Sequence, residues 1–155
     1  MEAARPAHEA DIARVVELAA ELRAELVPMR GGELWAATLA APEPLAQHYA
    51  ALVAAPESTV IVGTIDEVVV GYGTARIDTL RDGTRLAVVA EVFVELEARA
   101  VGVGEALLDA LCTWCDEQRC DGIDAVALPG HRAAKNFFEA HGFVARLLTM
   151  HSKRP

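Results

Sequence analysis

The chain has 155 residues, of which 53% are hydrophobic and 24% are charged. This is enough to bury the core of one globular domain, so we predict a single domain spanning residues 1–155. A formal net charge of −9 without a basic run argues against nucleic-acid binding, and no apolar run is long enough to span a membrane.

The first third of the chain has helical periodicity on both sides of a loop. Residues 8–26 carry apolar side chains at the three- and four-residue spacing of a helix with one buried face. The segment VPMRGGELW, residues 27–35, contains a proline and two glycines and is predicted to be a loop. LAQHYAALVAA, residues 45–55, is predicted to be a second helix.

The middle of the chain changes to the alternation that is typical of strands. STVIVGTIDEVVVGYGTARID is predicted to form two β-branched strands joined at Asp66 and Glu67. LRDGT is a turn signal, and RLAVVAEVFVE follows it as a third strand.

The last third alternates between the two patterns. A helix is predicted after Gly104, a short buried strand in IDAVAL, a helix in HRAAKNFFEAH that ends at Gly142, and a closing strand in FVARLLTMHSK. The order predicts an α+β domain with a mixed, mostly antiparallel sheet flanked by helices.

Three cysteines lie on or just after one predicted helix, at positions 112, 115 and 120. A zinc site needs four ligands, and only a distant histidine could complete the set. We therefore expect reduced packing thiols and no metal. With an N-terminus that lacks a secretory pattern, this favours a cytoplasmic protein.

The segment ARAVGVGEALL, residues 98–108, places two glycines and an arginine where a helix begins. A helix N-terminus has unpaired N–H groups and a partial positive charge, so it attracts anions. Gly102 and Gly104 would let a diphosphate approach the backbone, and Arg99 would add charge. An ordinary strand-to-helix turn explains the glycines equally well.

The neighbouring residues distinguish between diphosphate ligands. A P-loop requires Gly-Lys-Ser/Thr, but Glu105 follows the last glycine. A dinucleotide-binding fold requires a third glycine where Leu107 stands and begins with a parallel sheet, which the preceding antiparallel strands disfavour. Coenzyme A is the remaining diphosphate carrier.

Four segments together resemble the GNAT superfamily of N-acetyltransferases. VELEARAVGVGEALL is similar to its acyl-CoA-binding motif, ARPAHEADIARVVEL to its first strand and helix, HRAAKNFFEAHGF to its second CoA-contacting segment, and LLTMHSK to its final strand. The resemblance covers nearly the whole chain. It implies the GNAT fold, acetyl-CoA as acyl donor, a small-molecule or peptide amine as acceptor, and a homodimer.

The resemblance also implies a set of CoA contacts. The strand edge ending at Val94 would pair with the pantetheine arm, and the backbone there would polarise the thioester carbonyl. The residues implied in CoA binding are Val92, Val94, Arg99, Ala100, Val101, Gly102, Val103, Gly104, His131, Lys135 and Phe138.

Glu91 is the candidate base, because members of this family often place a carboxylate three residues before the position of Val94. A lone carboxylate in LAVVAEVFV also requires a partner, since unpaired burial is costly; a solvent-facing glutamate or one paired with arginine is the alternative. Phe138 stands where the family commonly has the tyrosine that protonates the thiolate. His131 is a weaker candidate for that acid or for a polar contact.

The acceptor would approach over the loop between the first helices. Arg30, Glu33 and Trp35 are candidate wall residues there, and Tyr72 is a candidate either for the border of the acyl group or for the core. We predict an N-acetyltransferase that transfers an acetyl group from acetyl-CoA to a primary amine directly in a ternary complex. The alternative is a catalytically degenerate acyl-CoA-binding module with a regulatory or partner-binding role.

Overall fold

The computed structural model describes all 155 residues and contains one five-stranded sheet in the order β1-β2-β3-β4-β5. The strands are β1 (Glu2–Pro6), β2 (Ser58–Ile65), β3 (Val68–Thr79), β4 (Arg85–Val94) and β5 (Gly122–Ala125). Neighbouring pairs are antiparallel except for β4 and β5, which are parallel. The predicted mixed, mostly antiparallel sheet is confirmed.

Five helices flank the sheet: α1 (Ile12–Leu26), α2 (Gly32–Thr38), α3 (Leu45–Ala54), α4 (Val103–Glu117) and α5 (Arg132–Ala140). The residues of strand β2 show which helices cover each face of the sheet. Val60 and Val62 belong to the core cluster that contains buried residues of α1 and α3, whereas Ile61 belongs to the cluster around α4. Because successive strand residues point to opposite faces, α1 and α3 cover one face and α4 covers the other. None of the helices is long and apolar enough to cross a membrane.

Glycines on the α4 side of the sheet allow that helix to approach closely. A Cβ added at Gly63 would lie 2.6 Å from Cγ1 of Val103, and one added at Gly73 would lie 2.8 Å from Cδ1 of Leu111. Both distances are below normal carbon contact. The missing side chains therefore set the distance of α4, and of its N-terminus, from the sheet.

The segment predicted to be a loop between the first two helices contains α2, and in this respect the prediction was wrong. Only residues 27–31 lie between α1 and α2 as a turn, which Gly31 closes with a positive φ of 80°. The helix then buries Trp35, which is 8% exposed. Seven residues are too few for a clear period, and the two glycines concealed the helix.

The predicted closing strand is absent, because residues after Phe143 form no regular secondary structure. Strand propensity leads to a strand only where a neighbouring strand accepts its hydrogen bonds, and this segment has none. Its apolar side chains are exposed, including Val144 at 82% and Met150 at 87%. The contacts that hold it are an Arg146–Asp124 ion pair with β5 and the ring of Phe143 against that of Phe138.

Candidate active site

A cleft opens where β4 and β5 separate. Their pairing ends at Val89 and Ala125, so residues 90–94 of β4 have a free edge on that side. Residues from α1, α2, β4 and α5 close around this edge. The cleft is lined mainly by apolar side chains, and its wall includes Leu22, Leu26, Trp35, Val92, Leu128 and Phe138.

A β-bulge directs Glu91 into this cleft. Thr74 of β3 pairs with Glu91 and Ala75 pairs with Val89, which leaves Ala90 as an extra residue. A bulge shifts the alternation of a strand by one position. Val89 accordingly packs in the α4 cluster, whereas Glu91 reaches residues on the α1 and α3 side.

Three hydroxyl groups hold the carboxylate of Glu91. Its Oε2 accepts hydrogen bonds from Tyr49, at 2.7 Å, and from Tyr72, while Oε1 accepts one from Thr74 at 3.2 Å. Both tyrosines are 0% exposed. The two alternatives for Glu91, solvent exposure and an arginine partner, are therefore not what the structure contains. The partly buried carboxylate is stabilised by neutral donors only.

Burial and the nearby Glu91 carboxylate raise the pKa of Tyr49, and the same two causes raise the pKa of Tyr72 well above its ordinary value. Both phenols therefore stay protonated, as donors, throughout the physiological range. Tyr72 was predicted to border the acyl group or to belong to the core, and the hydrogen bonds of Tyr49 and Tyr72 to Glu91 were not predicted. Thr74 was missed too, although alternation places it on the face of Tyr72.

The glycine loop presents a row of free donors at the start of α4. The backbone N–H groups of residues 100–105 donate to no acceptor within the chain. Gly102 is the residue before the helix and has a φ of 96°, and Ala100 is also left-handed, with a φ of 67°. The sequence-predicted loop residues Ala100, Val101, Gly102, Val103 and Gly104 are thus brought together at a helix N-terminus that suits an anion.

Arg99 does not point to this loop. Its guanidinium makes a bidentate pair with Glu25 of α1, at 2.8 and 3.2 Å, and its Nε donates to the carbonyl of Val94 at 2.7 Å. It also lies over the ring of Phe93, 5.3 Å from the centroid. In the structure Arg99 therefore fastens the end of β4 to α1, and its contact with CoA stays a prediction. The partner lies 74 residues away in sequence, so no local pattern could reveal it.

A model of the acetyltransferase (GNAT) family matches residues 21–143 of the chain. The chain belongs to the GNAT acetyltransferase family. No curated protein matches the sequence.

Several solved structures match the fold over nearly the whole chain. The BH1408 protein from Bacillus halodurans, as a tetramutant, has a TM-score of 0.81 and 19% identity over 97% of this chain and 99% of its own. The aminoglycoside N-acetyltransferase AAC(6')-Iy in complex with CoA has a TM-score of 0.74 and 18% identity over 99% and 95%. Ribosomal-protein-alanine N-acetyltransferase from Brucella melitensis biovar Abortus 2308 has a TM-score of 0.72 and 15% identity over 100% of both chains.

In this GNAT domain His131 and Phe138 line the same cleft as Glu91. His131 is half-buried at the start of α5, and burial is the main cause that lowers the pKa of its imidazole, with Arg99 acting in the same direction and Glu25 opposing. Its side chain makes no hydrogen bond within the chain. Phe138 has no proton to donate, and Lys135 is exposed and pairs with Glu139.

The candidate acceptor residues of this GNAT domain divide into two groups. Trp35 is buried and lines the cleft. Tyr72 does not line the cleft but donates a hydrogen bond to Glu91, which does. Arg30 and Glu33 are exposed and belong to no ion pair within the chain. The structure contains no group of three or more His, Cys, Asp or Glu residues placed to hold a metal ion, and its three cysteines are free thiols.

Proposed function

We propose that this GNAT domain transfers an acetyl group from acetyl-CoA to a primary amine, directly within a ternary complex. The observation that carries the proposal is the position of Glu91, a carboxylate in an apolar cleft beside a free strand edge. A free edge can pair with the amides of an extended pantetheine arm. An amine that enters this cleft would have this carboxylate available to take its proton.

The CoA contacts in this proposal come from two segments. The free N–H groups of residues 100–105 would hold the pyrophosphate. Backbone groups of Val92 and Val94, on the free edge of β4, would bind the pantetheine and polarise the thioester carbonyl. Arg99 supports the edge through its bond to the carbonyl of Val94.

The reaction needs two proton movements. Only the neutral amine can attack, so Glu91 would first accept a proton from the ammonium group, and the nitrogen–carbon bond would then form. The carbon–sulfur bond then breaks, and the CoA thiolate takes a proton from water or from a donor at the cleft. A neutral His131 would serve as a polar contact at that point more readily than as an acid, because its pKa is lowered.

The competing function is an acyl-CoA-binding module that has lost transfer activity. Phe138 in place of a hydroxyl-bearing side chain favours this alternative, because a thiolate acid is missing there. Glu91→Gln distinguishes the two functions. The amide keeps the size and an acceptor oxygen for the tyrosines but cannot take a proton near neutral pH.

We expect Glu91→Gln to bind acetyl-CoA as the wild type does, by calorimetric titration, and to lose at least about 10²-fold in the rate of thiol release with an amine that the wild type acetylates. Equal turnover by wild type and variant would remove Glu91 as the base. Acetyl-CoA binding by a wild type that acetylates no amine in a broad screen would favour the binding module.

The loop is tested by a pair of variants at Val101, which is exposed and has no positive φ. Val101→Asp and Val101→Asn differ in charge but hardly in shape. We expect the aspartate to weaken acetyl-CoA binding about tenfold or more relative to the asparagine, because it repels the diphosphate. Equal affinities would exclude the loop as the pyrophosphate site.

A homodimer and a cytoplasmic location remain predictions. The surface that favours self-association is the exposed apolar side chains of the C-terminal segment, Val144, Leu147, Leu148 and Met150. Light scattering on the full chain, with and without Leu147→Lys and Leu148→Lys, measures the oligomeric state directly.

A further inference from the structure

We propose that the acceptor is a primary amine on an uncharged apolar body, and that its ammonium group binds Oε1 of Glu91. In this arrangement Tyr49, Tyr72 and Thr74 are positioning residues that orient the carboxylate. The inference rests on the proposed function only in taking this cleft as the acceptor site.

The cleft is apolar except for two side chains. Eleven of its 13 lining residues are hydrophobic, and the other two are Glu91 and His131. The lowered pKa of His131 keeps its imidazole neutral at pH 7, and the nearby charges of Arg99 and Glu25 neutralise each other in their bidentate pair. The cleft therefore contains one net charge, which is negative.

The carboxylate of Glu91 can accept a further hydrogen bond. Oε2 of Glu91 already accepts from the hydroxyls of both buried tyrosines, whereas Oε1 accepts a single bond of 3.2 Å from Thr74. A carboxylate oxygen has two lone pairs, so Oε1 retains one for a ligand. No cation of the chain pairs with Glu91. An ammonium group supplies both the missing donor and the missing charge.

The walls of the cleft are apolar. Leu22, Leu26 and Trp35 contribute side chains from α1 and α2 to the lining. A charged group on the body of the acceptor would lose hydration against these walls without gaining a partner. A carboxylate on the acceptor would meet Glu91 and no free cation inside the cleft.

The test compares three small molecules that share one branched aliphatic body. 3-Methylbutylamine carries an ammonium group, 3-methylbutanol replaces it with a neutral hydroxyl, and leucine adds a carboxylate to the amine. Each is titrated into the full chain, with and without CoA, and binding is followed by amide chemical-shift changes around β4. We expect the amine to bind at least about tenfold more tightly than the alcohol or leucine.

Three variants assign the preference to the network. Glu91→Gln is expected to abolish the difference between amine and alcohol. Tyr72→Phe removes one hydroxyl from Oε2 and is expected to reduce the difference severalfold while leaving alcohol binding nearly unchanged. Thr84→Val, which removes a hydroxyl from an exposed turn, is the control and should retain the full preference.

Equal binding of amine and alcohol, or a preference that survives Glu91→Gln, would overturn the inference. So would tight binding of leucine, because the acceptor would then carry a carboxylate. Acetyl-CoA titration of the same samples separates this inference from the proposed function. Loss of the amine preference with intact CoA binding refutes only the acceptor class, whereas amine binding without CoA binding refutes only the transferase.

Discussion

Gly63 of β2 sets how closely α4 approaches the sheet, and adding one methyl group there tests this directly. In Gly63→Ala the new Cβ would lie 2.6 Å from Cγ1 of Val103 and 3.0 Å from Cγ of Leu107. Val103 is the first residue of α4 and 1% exposed, and its side chain is β-branched and stiff. The clash therefore has to be relieved by moving the start of the helix.

The magnitude follows from two opposing effects. Overpacking a core by one methyl group costs about 1–3 kcal/mol of unfolding free energy. Replacing glycine by alanine in an extended backbone returns about 0.4–1 kcal/mol by restricting the unfolded chain. We expect a net loss of about 1–2 kcal/mol, or a fall of about 2–8 °C in the melting temperature for a chain of this length.

The assay is urea unfolding followed by circular dichroism, with two further variants. Gly122→Ala in β5 is the matched control, because its Cβ would lie 3.6 Å from the nearest atom, in ordinary contact. Val103→Ala removes the obstructing Cγ1, so Gly63→Ala should cost at least about 1 kcal/mol less in that background than in the wild type. Because the start of α4 moves, acetyl-CoA binding should weaken in Gly63→Ala and recover partly in the double variant.

Two results would refute this reasoning. If Gly63→Ala were no more destabilising than Gly122→Ala, the close approach of α4 would not depend on the missing side chain. If the cost of Gly63→Ala were the same with valine and alanine at position 103, the contact with Val103 would not be its cause.

Three further predictions concern groups around the core and the cleft. Burial raises the pKa of the Cys115 thiol to about 12. A thiol reagent at pH 8 should therefore modify Cys120 well before Cys115, and Cys115 should react only on unfolding. Equal rates of modification at the two cysteines would contradict this. The folded-state pKa of His131 lies below its ordinary 6.5, so the unfolded chain binds more protons and stability should fall as the pH drops below about 6.5. His131→Asn should flatten that slope in urea titrations from pH 7.5 to 5, and parallel slopes would count against it. Arg99→Lys should lose the bidentate pair with Glu25 and so lower the melting temperature. Arg23 is an exposed arginine on α1 without an ion pair, so Arg23→Lys is the control and should lower the melting temperature less. Equal effects of the two variants would contradict the anchoring role of Arg99.

Much of the fold could be predicted because periodicity is a local property. The helix of residues 12–26, the hairpin at Asp66 and Glu67, and the helix that follows the glycine loop each show their spacing within a short window. The two elements that were wrong have a common reason. The closing strand and the loop that proved to contain α2 depend on contacts that are distant in sequence, a partner strand in the first case and the burial of Trp35 in the second.

The candidate site divides in the same way. The sequence by itself determined the residue types: a carboxylate on an apolar strand, glycines at a helix start, and phenylalanine at position 138. Only the tertiary structure decided their partners, because hydrogen bonds and ion pairs join residues far apart in the chain. A bulge at Ala90 directs Glu91 to two tyrosines, 42 and 19 residues away. Arg99 lies in the glycine loop by sequence, but its guanidinium pairs with Glu25 of α1. A long side chain can reach a carboxylate that lies outside its own motif.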